Sequence, residues 1–444
     1  MPEFTQKRAY IRTFGCQMNE HDSVRIMGML ESLGYVSSGT IDDADLILFN
    51  TCTIREKAHH KAMSEIGRAR LFKERRAGTL VGVCGCVAQE EREAIFERYP
   101  HVDILFGPDQ IARLPELIDD AMGNSRASAL ELIDDPSQYR FLGNDVRVSS
   151  PESRVSAFVS IMKGCNCACS YCIVPKVRGR EVCRPVGEIV DEVRRLAEAG
   201  TKEVTLLGQN VNAYQGSVSF SGLIRRIADE TDIGRIRFTS PHPRDAGDDL
   251  VREYAENEKL MPHIHLPVQA GSNAVLRKMR RGYTRERYIE ICDALRGARP
   301  GMSITTDIIV GFCGESVADF EETLSLMRRV DFDSAFAFKY SPRPGTEAAL
   351  KFEDDVPLEE KKERLARLLS LQIETSRRKN QAFVGMEGDA LATGFDRMNR
   401  GLITARLPDN RIVHFAGHAD SVGNILKVRV TGAFANSLAA EAIQ

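Results

Sequence analysis

Short, largely apolar runs alternate with amphipathic stretches through the first third of the chain. Ala9–Phe14, Asp45–Asn50, Thr79–Cys84 and Val102–Phe106 are too short for helices and too continuously apolar for half-exposed strands. They predict parallel strands of an open α/β sheet, whose ligands bind beyond the carboxyl ends. The polar stretch 134–154, with proline and serine, reads as a linker. Alternation then resumes at Val155–Met162, Glu203–Leu207, Arg235–Phe238, His263–Leu266, Ser303–Val310 and Ala335–Phe338, giving six strand-helix units. Pro357–Phe383 is a charged amphipathic helix rich in Lys, Arg and Leu. After it, Ala390–Thr393, Gly401–Ala405, Arg411–Phe415 and Ile425–Val430 are short strands with Gly, Asn and Asp turns, as in a small β-barrel. The expected domains are 1–133, a linker over 134–154, 155–376 with the connector helix, and 377–444.

A chain of 444 residues, 43% hydrophobic, can bury the cores of two or three domains. Its 60 basic and 63 acidic side chains give a net charge of −3, so any surface for a polyanion is local. The opening residues lack a charged segment followed by an apolar one, and no apolar run reaches membrane length. This reads as a cytoplasmic protein with no membrane partner. Eleven cysteines in that setting point to metal binding or catalysis before disulfides.

Six of those cysteines fall in two informative patterns. Cys165-x-x-x-Cys169-x-x-Cys172 puts three thiolates on one loop, enough for three irons of a cubane and leaving the fourth open. An open iron can chelate S-adenosylmethionine and deliver one electron to it. Zinc is the rival reading, with Cys167 as fourth ligand, but four thiolates within eight residues crowd a zinc site. The second pattern is dispersed: Cys16, Cys52 and Cys86 each follow a predicted strand beside Gly or Thr. Three thiols at equivalent strand ends favour a metal site over three coincidental core residues. Cys84, inside its strand, reads as core.

Seven stretches carry a resemblance over nearly the whole chain: Phe14-Gly-Cys-Gln-Met-Asn19, Asn50-Thr-Cys-Thr-Ile-Arg-Glu-Lys57, Gly85-Cys-Val-Ala-Gln89, the Cys165 loop, Thr205-Leu-Leu-Gly-Gln-Asn210, His265-Leu-Pro-Val-Gln269 and Tyr340-Ser-Pro-Arg-Pro-Gly345. Together they resemble the methylthiotransferase family of radical S-adenosylmethionine enzymes, and the wording around Cys16 and Cys52 resembles its branch acting on tRNA isopentenyladenosine beside the anticodon. The resemblance implies a partial (βα)6 barrel working at its strand C-terminal face, and a terminal TRAM-like barrel that binds RNA. It implies two 4Fe-4S clusters, one on Cys165, Cys169 and Cys172 and one on Cys16, Cys52 and Cys86. It also implies two S-adenosylmethionine molecules, one as methyl donor and one as source of a 5'-deoxyadenosyl radical. The chemistry is the cofactors', with no side chain assigned as acid or base. Tyr171, Gln209, Asn210, Ser240, Gln269 and Val310 are candidate contacts to S-adenosylmethionine.

Cys313 stands where the family usually has proline and is not counted as a ligand. Lys278, Arg280 and Arg281, in a segment crowded with arginine, are candidate RNA contacts, since phosphates need a local positive strip. A flavodoxin or ferredoxin as electron donor, an iron-sulfur or sulfide donor and a monomeric state complete the expectation. Two alternatives within the family remain at this stage, action on threonylcarbamoyl-adenosine of tRNA or on a ribosomal-protein aspartate. A non-catalytic iron-sulfur carrier is the alternative from another class.

Overall fold

The computed structural model describes residues 6–443 except 55, 124, 134, 136, 144–154 and 397. Most of the expected linker therefore lies outside the described residues. The chain forms two compact units: Met1–Val148 with Lys163–Asn166 and Ile173–Val182, and Ser149–Met162 with Cys167–Cys172 and Cys183–Gln444.

The first unit is built on a six-stranded parallel sheet: β1 (Arg8–Thr13), β2 (Val36–Ser37), β3 (Leu46–Thr51), β4 (Leu80–Gly85), β5 (Ile104–Phe106) and β6 (Ala127–Ala129), ordered β2-β1-β3-β4-β5-β6. Every residue of β3 is buried because both faces are covered. Ile47 and Phe49 enter one apolar layer with Val81, Val83 and Leu105. Leu46 and Leu48 enter the opposite one with Ile104, Phe106 and Cys84, which is thus core.

In the second unit β7 (Ser156–Ser160), β10 (Glu203–Leu207) and β11 (Arg235–Phe238) form one parallel sheet; β12 (His263–His265), β13 (Ser303–Val310) and β14 (Ser334–Lys339) form another. A parallel bridge from Ile236 to Leu260 joins them into a six-stranded partial barrel. Two short strands, β8 (Met162–Lys163) and β9 (Val182–Cys183), flank the cysteine loop. Leu358–Gln381 is the long charged helix; its Arg364 makes a buried 2.6 Å pair with Glu315, just past β13.

The terminal strands β15 (Glu387–Phe395), β16 (Leu402–Arg406), β17 (Ile412–Ala416), β18 (Ile425–Ala433) and β19 (Leu438–Ala442) close a barrel ordered β15-β16-β17-β19-β18. Its turn between β16 and β17 meets the starts of the partial-barrel strands. Arg235 donates to the Arg406 and Asp389 carbonyls at 3.0 and 2.9 Å, and Arg237 to the Leu407 carbonyl at 3.1 Å. Asn410, at φ 75°, stands 3.3 Å from the His263 ring nitrogen. The strand C-terminal ends lie at the other end of the strands. No described helix is long and apolar enough to cross a membrane.

Candidate functional site

In the first unit, Cys16, Cys52 and Cys86 come together at the carboxyl edge of the sheet. Each is placed by a strand ending and a turn. Cys16 caps the helix Gln17–Ser32 in extended conformation, Cys52 follows β3, and Cys86 opens the helix Cys86–Glu91 after Gly85 at φ 88°. Two buried asparagines lock this edge. Asn19 donates to the Asn50 side-chain oxygen at 2.8 Å and the Thr51 carbonyl at 2.9 Å; Asn50 donates back to the Asn19 carbonyl at 2.8 Å.

Gly15 gives Cys52 its room: at φ 113°, an added Cβ would stand 2.7 Å from the Cys52 sulfur. Gly15→Ala should therefore push the Cys52 sulfur out of place and lower the iron that reconstituted protein takes up per chain. Iron per chain, compared with parent protein reconstituted in parallel, checks it.

The thiols are electrically distinct. A hydrogen bond from Cys52 pulls Cys16 down to about 6, against burial, with help from Arg178 and the first amides of its helix. The same bond, then burial, pushes Cys52 up. Burial raises Cys86, with Arg178 opposing it. Arg178, itself buried, donates to Asp22 at 2.9 Å, and it ends the short helix Val174–Arg178, whose Val177 packs against Cys86. Burial would lower its pKa, but Asp22, then Cys86 and Cys16, hold it well above the ordinary value. Asp22 also pairs with buried Arg25 at 3.4 Å.

These free thiols, converging beside a fixed cation, fit an anionic iron-sulfur cluster. Among the described residues no three His, Cys, Asp or Glu side chains close in around a single metal ion. A cubane binds its cysteines at different corners, which spreads them wider than the ligands of one ion.

The Cys165 loop passes from the first unit into the second, and each part is anchored separately. On the first side Lys163 donates to Asp109 at 2.5 Å and to the Ile133 carbonyl at 2.9 Å. Gly164 has φ 74°, and an added Cβ would run into the Arg180 carbonyl. On the second side the Ser170 hydroxyl donates to the Lys278 carbonyl at 2.8 Å, and the Cys172 amide to the Cys169 carbonyl at 3.1 Å. Tyr171 lies edge-on to Phe312 at 6.4 Å, in an apolar cluster with Tyr340 and Cys313. Cys167 is buried, its sulfur 3.6 Å from both Asn210 Nδ2 and Arg244 Nη2.

Arg281 corrects an expectation. Instead of joining Lys278 and Arg280 on a strip facing RNA, it is 5% exposed. Its guanidinium donates to the Cys169 sulfur at 3.3 Å, the Pro267 carbonyl at 2.8 Å and Tyr283 at 3.0 Å. Burial and those partners take it away from any phosphate. Arg280 is exposed and paired with Glu347 at 2.6 Å, while Lys278 lies over the Phe352 ring at 5.1 Å.

The remaining candidates sit at successive strand ends of the partial barrel. Gln209 and Asn210 follow β10, with Asn210 donating to Asp245 at 3.1 Å. Ser240 follows β11, exposed at φ 60°; Gln269 follows β12 at φ 75°; Val310 ends β13, fully buried. Positive φ at two non-glycine strand ends costs on the order of 1–2 kcal/mol each, and such strain concentrates at ligand sites.

Arg178, Asp22, Arg25, Asn19, Asn50 and Arg244 escaped the sequence reading. One signal was present: Asn19, Asp22 and Ile26 recur at helical spacing, so polar residues occupy core positions.

Residues 8–107 match the family model described as Uncharacterized protein family UPF0004, and residues 159–327 match the Radical SAM superfamily. The tRNA-2-methylthio-N(6)-dimethylallyladenosine synthase of Alkalilimnicola ehrlichii is 46% identical over 98% of this chain and 97% of its own. The proteins of that name from Geobacter sulfurreducens and Syntrophotalea carbinolica are 44% and 43% identical, over 98% and 97% of this chain and 98% of each relative. Among solved structures, the radical S-adenosylmethionine methyltransferase TsrM from Kitasatospora setae, with cobalamin and a 4Fe-4S cluster bound, aligns over 78% of each chain with TM-score 0.57 at 14% identity. The cobalamin-dependent radical enzyme OxsB aligns over 86% of this chain and 62% of its own, with TM-score 0.52 at 13% identity. At such identities these two likenesses establish the fold.

Proposed function

We infer the reaction from one premise: the chain belongs to the tRNA-2-methylthio-N6-dimethylallyladenosine synthase family of radical S-adenosylmethionine enzymes. The protein inserts a methylthio group at carbon 2 of N6-isopentenyladenosine, next to the anticodon of tRNA. The observation that carries this reading is identity of 43–46% along almost the entire chain.

Cys165, Cys169 and Cys172 hold one 4Fe-4S cluster, and Cys16, Cys52 and Cys86 a second. When bound, the first supplies an electron that cleaves S-adenosylmethionine to a 5'-deoxyadenosyl radical, and the second offers an open iron for the sulfur to be inserted. The protein's own work is positioning. Arg281 sets a buried positive charge on Cys169, and Tyr171 packs beside the loop. Gln209, Asn210, Ser240, Gln269 and Val310 line the strand ends where S-adenosylmethionine binds. Its carboxylate, amine and ribose take the polar groups, and its adenine lies by Val310. Lys278 and Arg280 are left to meet tRNA phosphates, with the terminal barrel as RNA-binding module.

A flavodoxin or ferredoxin supplies the electron, an iron-sulfur or sulfide donor the sulfur, and the enzyme works as a cytoplasmic monomer. The expected domains, 1–133, 155–376 and 377–444, divide these tasks.

Anaerobically reconstituted protein, given isopentenyladenosine-containing tRNA, S-adenosylmethionine and a strong reductant, should yield 2-methylthio-isopentenyladenosine in nucleoside digests. Methylthiolation of threonylcarbamoyl-adenosine or of a ribosomal-protein aspartate, with isopentenyladenosine untouched, would overturn the substrate. Absence of 5'-deoxyadenosine with both clusters in place would support a carrier.

A further inference from the structure

We propose that Arg178 is a positioning residue for the second cluster: held by Asp22 against Cys16 and Cys86, it sets that cluster's reduction potential. The inference rests on the reading of Cys16, Cys52 and Cys86 as cluster ligands.

The argument begins with a buried charge imbalance. Asp22 gives one carboxylate oxygen to Arg178 at 2.9 Å and the other to Arg25 at 3.4 Å. All three side chains are at most 7% exposed. Two guanidiniums against one carboxylate leave a net positive charge out of water, and Arg25 Nε is buried without a hydrogen-bond partner among the described residues. An isolated buried charge is costly, so it implies a compensating anion. The neighbouring Lys163–Asp109 pair is balanced within itself.

Arg178 closes the helix Val174–Arg178, whose Val177 packs directly on Cys86, so its charge lies beside Cys86 and also acts on Cys16. A cubane on three thiolates carries net negative charge, as the imbalance requires. Reduction adds one more negative charge to that cubane. A fixed cation beside the ligating sulfurs favours the reduced state and so raises the potential. Asp22 has the opposite sign of effect and also fixes where the guanidinium points.

The test uses full-length protein with Cys165, Cys169 and Cys172 replaced by alanine, so that any bound cluster is the second one. Its midpoint is read by redox titration followed by electron paramagnetic resonance. Arg178→Met should move the midpoint to lower potential, Arg178→Lys should recover most of the shift, and Asp22→Asn should move it higher. A purely structural role predicts one common midpoint in every variant that binds iron, and that result would overturn the proposal. If Arg178→Met takes up no iron, Arg178→Gln decides: a midpoint below the parent's supports Arg178, an equal one overturns it. If the triple alanine protein itself binds no iron, the second cluster is wrong, and Arg178's role falls with it.

Discussion

Protein with Cys16, Cys52 and Cys86 all replaced by alanine should keep about half of its reconstituted iron, still release 5'-deoxyadenosine, and form no methylthiolated nucleoside. The expectation follows from where the two cysteine sets are held. The trio belongs to the first unit's sheet edge, fixed by Asn19 and Asn50, while Cys169 and Cys172 are anchored by Ser170 and Arg281 within the second unit. Removing three thiols from the sheet edge leaves the Ser170 and Arg281 hydrogen bonds in place and trims only the Cys86 packing on Ile173 and Val177. Iron and sulfide analysis, 5'-deoxyadenosine quantification and nucleoside digests on one preparation separate the outcomes. Full iron in the variant would remove the second site; lost 5'-deoxyadenosine release would show that the two sites do not work independently.

Arg364→Met should be the most destabilising single change away from the cysteines, by about 3–5 kcal/mol. Glu315 has a completely buried side chain whose carboxylate receives Arg364 at 2.6 Å and the Gly311 amide at 2.5 Å. Arg364 also donates to the Glu315 carbonyl at 2.9 Å, so the pair ties the long helix to the turn after β13. Removing the guanidinium strands a carboxylate in apolar surroundings. The double variant Arg364→Met, Glu315→Gln should recover part of the loss, because it removes the stranded charge too. Denaturant midpoints for the two single variants and the double one give the coupling; additive effects would mean that the pair is not the cause.

The parts of this fold legible in the chain are those where periodicity and burial agree. Glu203–Leu207, Arg235–Phe238 and Ser303–Val310 coincide with β10, β11 and β13 because each is bounded by sharp turn residues. Val36–Ser37 and Ala127–Ala129 were missed: two or three residues carry no period. Leu438–Ala442 was missed for a different reason. Leu-Ala-Ala-Glu-Ala has helical preference, overridden by pairing with β17 and β18.

The candidate site divides similarly. Cysteines at strand ends announce themselves by residue type and position. Arg178 and Arg281 do not, since a single arginine near a loop reads as solvated until the fold supplies Asp22 for one and Cys169 for the other. The basic segment misled for that reason: charge density along the chain says nothing about which guanidinium turns inward.

The turn between β16 and β17 makes the C-terminal barrel more than an appendage. Arg235 and Arg237 find carbonyl acceptors in that turn and in β15, and a chain ending before Glu387 would leave those donors without them. The terminal barrel is thus also the stopper of the partial barrel. Exchanging it between relatives requires matching backbone at the plug, so changes in the terminal barrel are constrained by the integrity of the floor it closes.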